Sequence, residues 1–223
     1  MTHKPTYEEL ILENLNLNKE LAKYKRQDVQ NLDLSNTIDF NDLFKISEIQ
    51  QIQDLFAEAT GVASIITDPN GVPITKPSNF CRLCNDIIRK TEKGLKNCYF
   101  SDAVIGKQNE NGAIYQPCLS GGLWDAGASI SLNGKHIANW LIGQVKNENI
   151  DENKMLLYAN EIGADQSEFK KALDEVSVMP TEKFKKIADT LFVIANEISN
   201  KAYQNIQLNR LITDLKEKEK LLI

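Results

Sequence analysis

The chain carries four cysteines in 223 residues, all between Cys81 and Cys118, with the spacing C-x2-C-x13-C-x19-C. Any thiol chemistry is therefore confined to one segment. Cysteines used only as small buried residues would seldom cluster in this way. Thiolates are soft ligands and four of them close a tetrahedral site, which makes Cys81, Cys84, Cys98 and Cys118 candidate ligands for zinc or an iron–sulfur cluster. The Cys81/Cys84 half fits that chemistry, but a second C-x2-C is missing. A thiol-reactive or ligand-contacting pocket and plain core packing stay open beside it. A structural disulfide is not expected in a reducing compartment. A thioredoxin-type role needs a strand just before the C-x2-C, where Lys76-Pro77-Ser78-Asn79 stands instead.

A second constellation follows the last cysteine. Gly121-Gly122-Leu123-Trp124-Asp125 can bring backbone close to a small molecule, with an aromatic wall and a carboxylate acceptor side by side. Trp140 and Gln144, four residues apart on one strand, could face the same space. Cys118, Gly122, Trp124, Asp125, Trp140 and Gln144 are thus the candidate ligand-binding residues. The alternative is a turn that Trp124 anchors to the core, with Trp140 as core filler. With two histidines, no phosphate-cradling loop and no dinucleotide fingerprint, the segment offers little material for catalysis.

These residues need elements to hold them. Asp39 opens an apolar helical pattern ending at Thr60-Gly61. Val62 to Thr67 and Val72 to Thr75 read as a hairpin around Asp68-Pro69-Asn70-Gly71. Cys81 to Lys93 and Asn97 to Gln108 read as helices, with Gly94 as a stop, so that Cys81, Cys84 and Cys98 fall near helix starts, where the dipole favours thiolate. Ala113 to Cys118, Ala126 to Leu132 and Lys135 to Val145 read as three antiparallel strands, the last two joined by Asn133-Gly134. The fold class is α+β, an antiparallel sheet of about five strands with flanking helices. Asp151 to Ile162 and Ser167 to Val176 are short helices.

Both ends carry heptad-like seams. Tyr7, Leu10, Asn14, Leu17, Leu21 and Tyr24 mark an N-terminal coiled-coil helix over residues 1–30. A seam from Ile187 through Leu191, Ile194, Ile198 and Leu208 to Leu222 marks a C-terminal helix over residues 181–223, too long to lie on one compact domain. Parallel pairing into a homodimer and a longer natural chain past Ile223 are expected. The formal net charge of −5 is mild and interspersed, which argues against nucleic-acid binding. Without an apolar run of membrane-spanning length or a signal-peptide layout, membrane insertion is not expected and a cytoplasmic location is.

Phe80-Cys81, Cys84, Gly94, Cys98, Ser101-Asp102, Cys118, Gly122-Leu123, Asn133-Gly134 and Ile142-Gly143-Gln144-Val145 together resemble the PocR-type sensory domain. The likeness covers about residues 38 to 205. It implies a PAS-like fold and a small-molecule input domain of sensor histidine kinases or transcriptional regulators, with ligands such as diols, alcohols or related small hydrocarbon derivatives. Any catalytic output would lie outside the segment. The competing expectation is a metal- or redox-sensing module built on the four cysteines.

Overall fold

The structure, a computed structural model, describes residues 40–148 and 150–220. The N-terminal helix expected over residues 1–30 lies outside the described residues. Helix α1 (Phe40–Leu43) turns Phe40 into the core, and α2 (Ile46–Thr60) follows after Lys45 breaks the helix in an extended conformation. The sequence predicts one helix here. Instead Phe44 stacks on Phe40, ring centroids 4.7 Å apart, and the chain restarts.

Strand β1 (Ala63–Thr67) is buried along its whole length. The partner strand expected at Val72 to Thr75 is reduced to single bridges, Thr67 with Pro73 and Ser64 with Ser78. Proline has no N–H to extend a ladder. The turn before it forms as its residues dictate, with Asp68 Oδ1 accepting from the backbone N–H groups of Asn70 (2.8 Å) and Val72 (2.9 Å). The sheet accordingly has four strands among the described residues, not five. Strand β2 is Ile114–Pro117, β3 is Trp124–Leu132 and β4 is Lys135–Val145. All neighbours are antiparallel in the order β1-β4-β3-β2.

Between β1 and β2 the cysteine segment folds as a π-helical turn (Leu83–Ile87), a 3₁₀ turn (Ile88–Lys90) and helix α3 (Glu92–Ile105). Gly94 is not a stop. Thr91 caps α3 by accepting from the Gly94 N–H at 3.0 Å, and a Cβ at Gly94 would collide with the Ile88 carbonyl. Glycine there lets the 3₁₀ turn abut the helix, which moves the helix start upstream and leaves Cys98 in mid-helix.

After the sheet, α4 (Glu152–Glu161) and α5 (Gln166–Asp174) are capped by Asp151 and Asp165, whose carboxylates accept from Lys154 (3.0 Å) and Glu168 (2.8 Å). Helix α6 (Thr181–Lys220) runs 40 residues, ~60 Å at ~1.5 Å per residue. Its buried residues, Phe184, Ala188, Leu191, Ala195, Ile198 and Ala202, recur every three or four positions and lie along β3. Beyond Ala202 the helix has no buried residue among those described, and Leu208, Leu211 and Ile212 are exposed. No described helix is long and apolar enough to cross a membrane.

Candidate ligand pocket

Parity along the sheet decides which side chains can meet. The register sets Ala63, Gly143 and Asp125 in one row and Ile65, Leu141 and Gly127 in another, on the face where Ile105 of α3 packs. Ser64, Ile66, Trp140, Ile142, Ala126 and Ala128 point to the opposite face.

By that alternation Gln144 would share a face with Trp140. It does not, because β4 carries one extra residue: Trp124 pairs with Val145 while Asp125 pairs with Gly143. Gln144 is left between them with φ 59°, in a bulge of the kind that re-aims a side chain. Its Oε1 accepts the Cys81 N–H at 2.9 Å, and its own N–H donates to Asp125 Oδ1 at 2.8 Å. Gly143 makes this possible, since any Cβ there would collide with the Asp125 carboxylate and the Trp124 carbonyl.

The sheet face, the π-helical turn, α3 and the β2–β3 loop enclose a small pocket of ≈ 30 Å³. Ile65, Phe80 and Leu141 give it an apolar side. Its polar side holds Cys84, Cys98, Cys118, Asp102, Asp125, Arg89 and Gln144. Arg89 pairs with Asp102 at 2.8 Å, side chains only 14% and 9% exposed, and its guanidinium lies 5.2 Å from the centre of the Phe80 ring. Burial raises Asp102 to about 6 despite that partner. Burial acts downward on Arg89, but the Asp102 charge and hydrogen bond, with the neighbouring thiols, hold it above its usual value.

Asp125 is more isolated. Burial raises its carboxyl to about 7, against the hydrogen bonds from Gln144 and Cys118. The Cys118 thiol is itself held by the Ser101 hydroxyl and the Ser120 N–H, each donating at 3.4 Å, and burial pushes it well up. Cys98 donates to Ser120 Oγ at 3.5 Å and rises with burial to about 11. Ser120 in turn meets the Tyr158 hydroxyl at 2.6 Å, so a polar chain runs from the pocket wall to α4. Cys84 is raised first by its hydrogen bond with Cys81 and then by burial, and Cys81 is lowered by that same bond. The three pocket thiols are thus raised above the ordinary thiol value, and Cys81 alone is lowered below it.

A family model for the sensory domain found in PocR matches residues 42–203, about three quarters of the chain. The chain belongs to the PocR sensory-domain family. Neither a curated protein nor a solved structure matches it. Every pocket-lining residue falls inside the matched span of this PocR domain.

Of the sequence-predicted ligand residues, the PocR domain brings Cys118, Asp125 and Gln144 to the pocket, together with Cys84 and Cys98. Gly122 sits in the loop turn, where its N–H donates to the Cys118 carbonyl at 3.0 Å, and so shapes the approach of Cys118. Trp124 is half-buried beside Asp125 but outside the lining. Trp140 lies on the other face, its Nε1 donating to Ser64 Oγ at 2.9 Å and its ring centroid 5.9 Å from Phe56 of α2. Arg89 stands in none of the sequence motifs, and Asp102 entered only among the residues that carry the family resemblance, without a site role. Asp102 had a signal, since Cys98, Ser101, Asp102 and Ile105 recur at three and four residues and mark the buried face of α3.

Among the described residues, no three of His, Cys, Asp or Glu stand in a group that could hold a metal ion. Cys98 and Cys118 hydrogen-bond hydroxyls, and all four cysteines are free thiols.

Proposed function

We propose that this PocR domain is the small-molecule input of a cytoplasmic signal-transduction protein, with a PAS-like body that binds a neutral hydroxylated ligand, a diol or alcohol, in the pocket at Asp125. The carrying observation is the pairing of an apolar wall with a buried carboxyl and the bulge residue Gln144. Once the pocket widens beyond its ≈ 30 Å³, a ligand hydroxyl can donate to Asp125 and accept from the Gln144 amide, while its carbon skeleton lies against Ile65 and Leu141. The Arg89 charge is already matched by Asp102, which disfavours a ligand anion.

The reading continues along α6. Distal residues Leu208, Leu211 and Ile212 supply an apolar stripe for a second copy, so that terminal helices pair into a homodimeric coiled coil that carries ligand state to an output domain. Any catalytic activity would belong to that output. Such signalling requires ligand affinity to differ between two packings of body and coil.

Thermal denaturation with a panel of two- to four-carbon diols, alcohols and carboxylates tests this. A binder at about 100 times its Kd should add ~2.7 kcal/mol. Asp125→Asn and Gln144→Ala should each abolish the shift. No response from the panel would reject the ligand class.

A second reading, a zinc or iron–sulfur site on the four cysteines, draws on three of those thiols facing one pocket. It would require them to rearrange. Metal analysis and the visible spectrum after anaerobic purification distinguish it.

A further inference from the structure

We infer that Cys81 and Cys84 form a redox-active dithiol, oxidised by hydroperoxides to an intrachain disulfide at the edge of the pocket. The Asn85 N–H donates to the Cys81 carbonyl at 3.0 Å and so closes the single turn that carries Cys84, and the interaction of the two thiols lowers Cys81 and raises Cys84. Residues three apart on a helical turn hold their Cβ atoms ~5–6 Å apart. A disulfide needs ~3.5–4.5 Å between Cβ atoms, so closure calls for a local adjustment of the turn. Cys81 precedes the π-helical turn and is half-buried, whereas Cys98 is buried, and Cys98 and Cys118 are tied to Ser120 and Ser101. The dithiol is therefore separate from the other two cysteines in its partners.

The chemistry balances with a hydroperoxide as oxidant. Cys81 sulfur attacks the outer peroxide oxygen, an S–O bond forms and the O–O bond breaks. The leaving alkoxide takes the proton Cys81 lost and departs as an alcohol. Cys84 sulfur then attacks the sulfenic sulfur of Cys81, the S–S bond forms and the S–O bond breaks. Hydroxide leaves with the Cys84 proton as water, and two electrons have passed from the thiols to the peroxide.

Two structural consequences follow for the pocket. Cys84 would be drawn from its lining, and Cys81, whose N–H is held by Gln144, would pull on the bulge beside Asp125. Neither depends on what the pocket binds, so this site and the ligand proposal stand or fall separately.

The test is peptide mass spectrometry of the full chain after treatment with stoichiometric hydrogen peroxide. Trypsin cuts after Arg82, so a Cys81–Cys84 bond joins peptide 46–82 to peptide 83–89 within one chain. That product, lost on treatment with dithiothreitol, is the expected result. Cys84→Ser should leave a Cys81 sulfenic acid that dimedone labels, and Cys81→Ser should slow oxidation at Cys84 about tenfold or more. The proposal is overturned if Cys81 and Cys84 stay reduced, or if the bond joins Cys98, Cys118 or a second chain. The wild-type mass readout decides the matter even where a variant fails to fold.

Discussion

The Gln144 backbone donates to Asp125 at 2.8 Å while its side chain accepts from Cys81 at 2.9 Å. One bulge residue thus joins the buried carboxyl to the edge of the cysteine segment. Gly143→Ala places a methyl group against the Asp125 carboxylate. A loss of ~2–4 kcal/mol is expected from overpacking and backbone strain. Urea denaturation measures it, and a loss below ~0.5 kcal/mol would mean that the bulge does not need glycine.

Asp125 titrates near 7 in the folded chain against an ordinary 3.8. Between those values the folded state binds the extra proton, so this group makes stability fall as pH rises from about 4 to about 7. The loss is complete above that range and absent below it. Three pKa units amount to ~4 kcal/mol as an upper bound. Denaturant midpoints from pH 4 to 8 should show a shallower decline for Asp125→Asn than for wild type. Equal slopes would place the titrating group elsewhere.

Removing Arg89 leaves Asp102 buried beside no cation. Arg89→Met should cost ~3–5 kcal/mol, and the double variant with Asp102→Asn should recover a substantial part. A denaturation cycle over the four proteins measures the coupling. Additive single effects would mean the 2.8 Å pair contributes nothing specific.

Trp140→Phe removes a buried donor to Ser64 on the face away from the pocket. It should cost ~1–3 kcal/mol. The thermal shift given by any binder in the diol and alcohol panel should stay the same, while Asp125→Asn loses it. A Trp140 variant that folds but no longer responds would move the binding site to the opposite face.

Lysine at Leu208, Leu211 and Ile212 together should convert a dimer to monomers without changing the melting of the body, because these residues are exposed in the single chain. Sedimentation equilibrium reads the outcome. Equal masses for variant and wild type would remove α6 from the interface.

Strands β2, β3 and β4, the capped helices α4 and α5 and the start of α6 were legible in the sequence, because local signals such as Asn133-Gly134, Asp151 and Asp165 fix them with little tertiary input. The fifth strand failed where Pro73 cannot donate, and Gly94 misled because its role is close approach to Ile88, a contact with no local signature. In the pocket, Cys118, Asp125 and Gln144 were found, but Gln144 and Trp140 were set side by side on a regular two-residue alternation. A bulge adds a residue to one strand only, so its effect depends on the partner's register, which one segment does not encode. Arg89 stayed hidden for a similar reason. Its partner Asp102 lies across a turn whose helical type changes twice.

Helix α6 is fastened to the sheet at one late point, where Ser199 Oγ accepts the Ser131 N–H at 3.0 Å, and from there to Lys220 it runs ~30 Å further at ~1.5 Å per residue. That makes it a lever with its fulcrum on β3, the strand that carries Asp125 at its other end. A tilt of ~5° about Ser199 would swing the far end by ~3 Å, a displacement larger than most side-chain adjustments inside the pocket could produce directly.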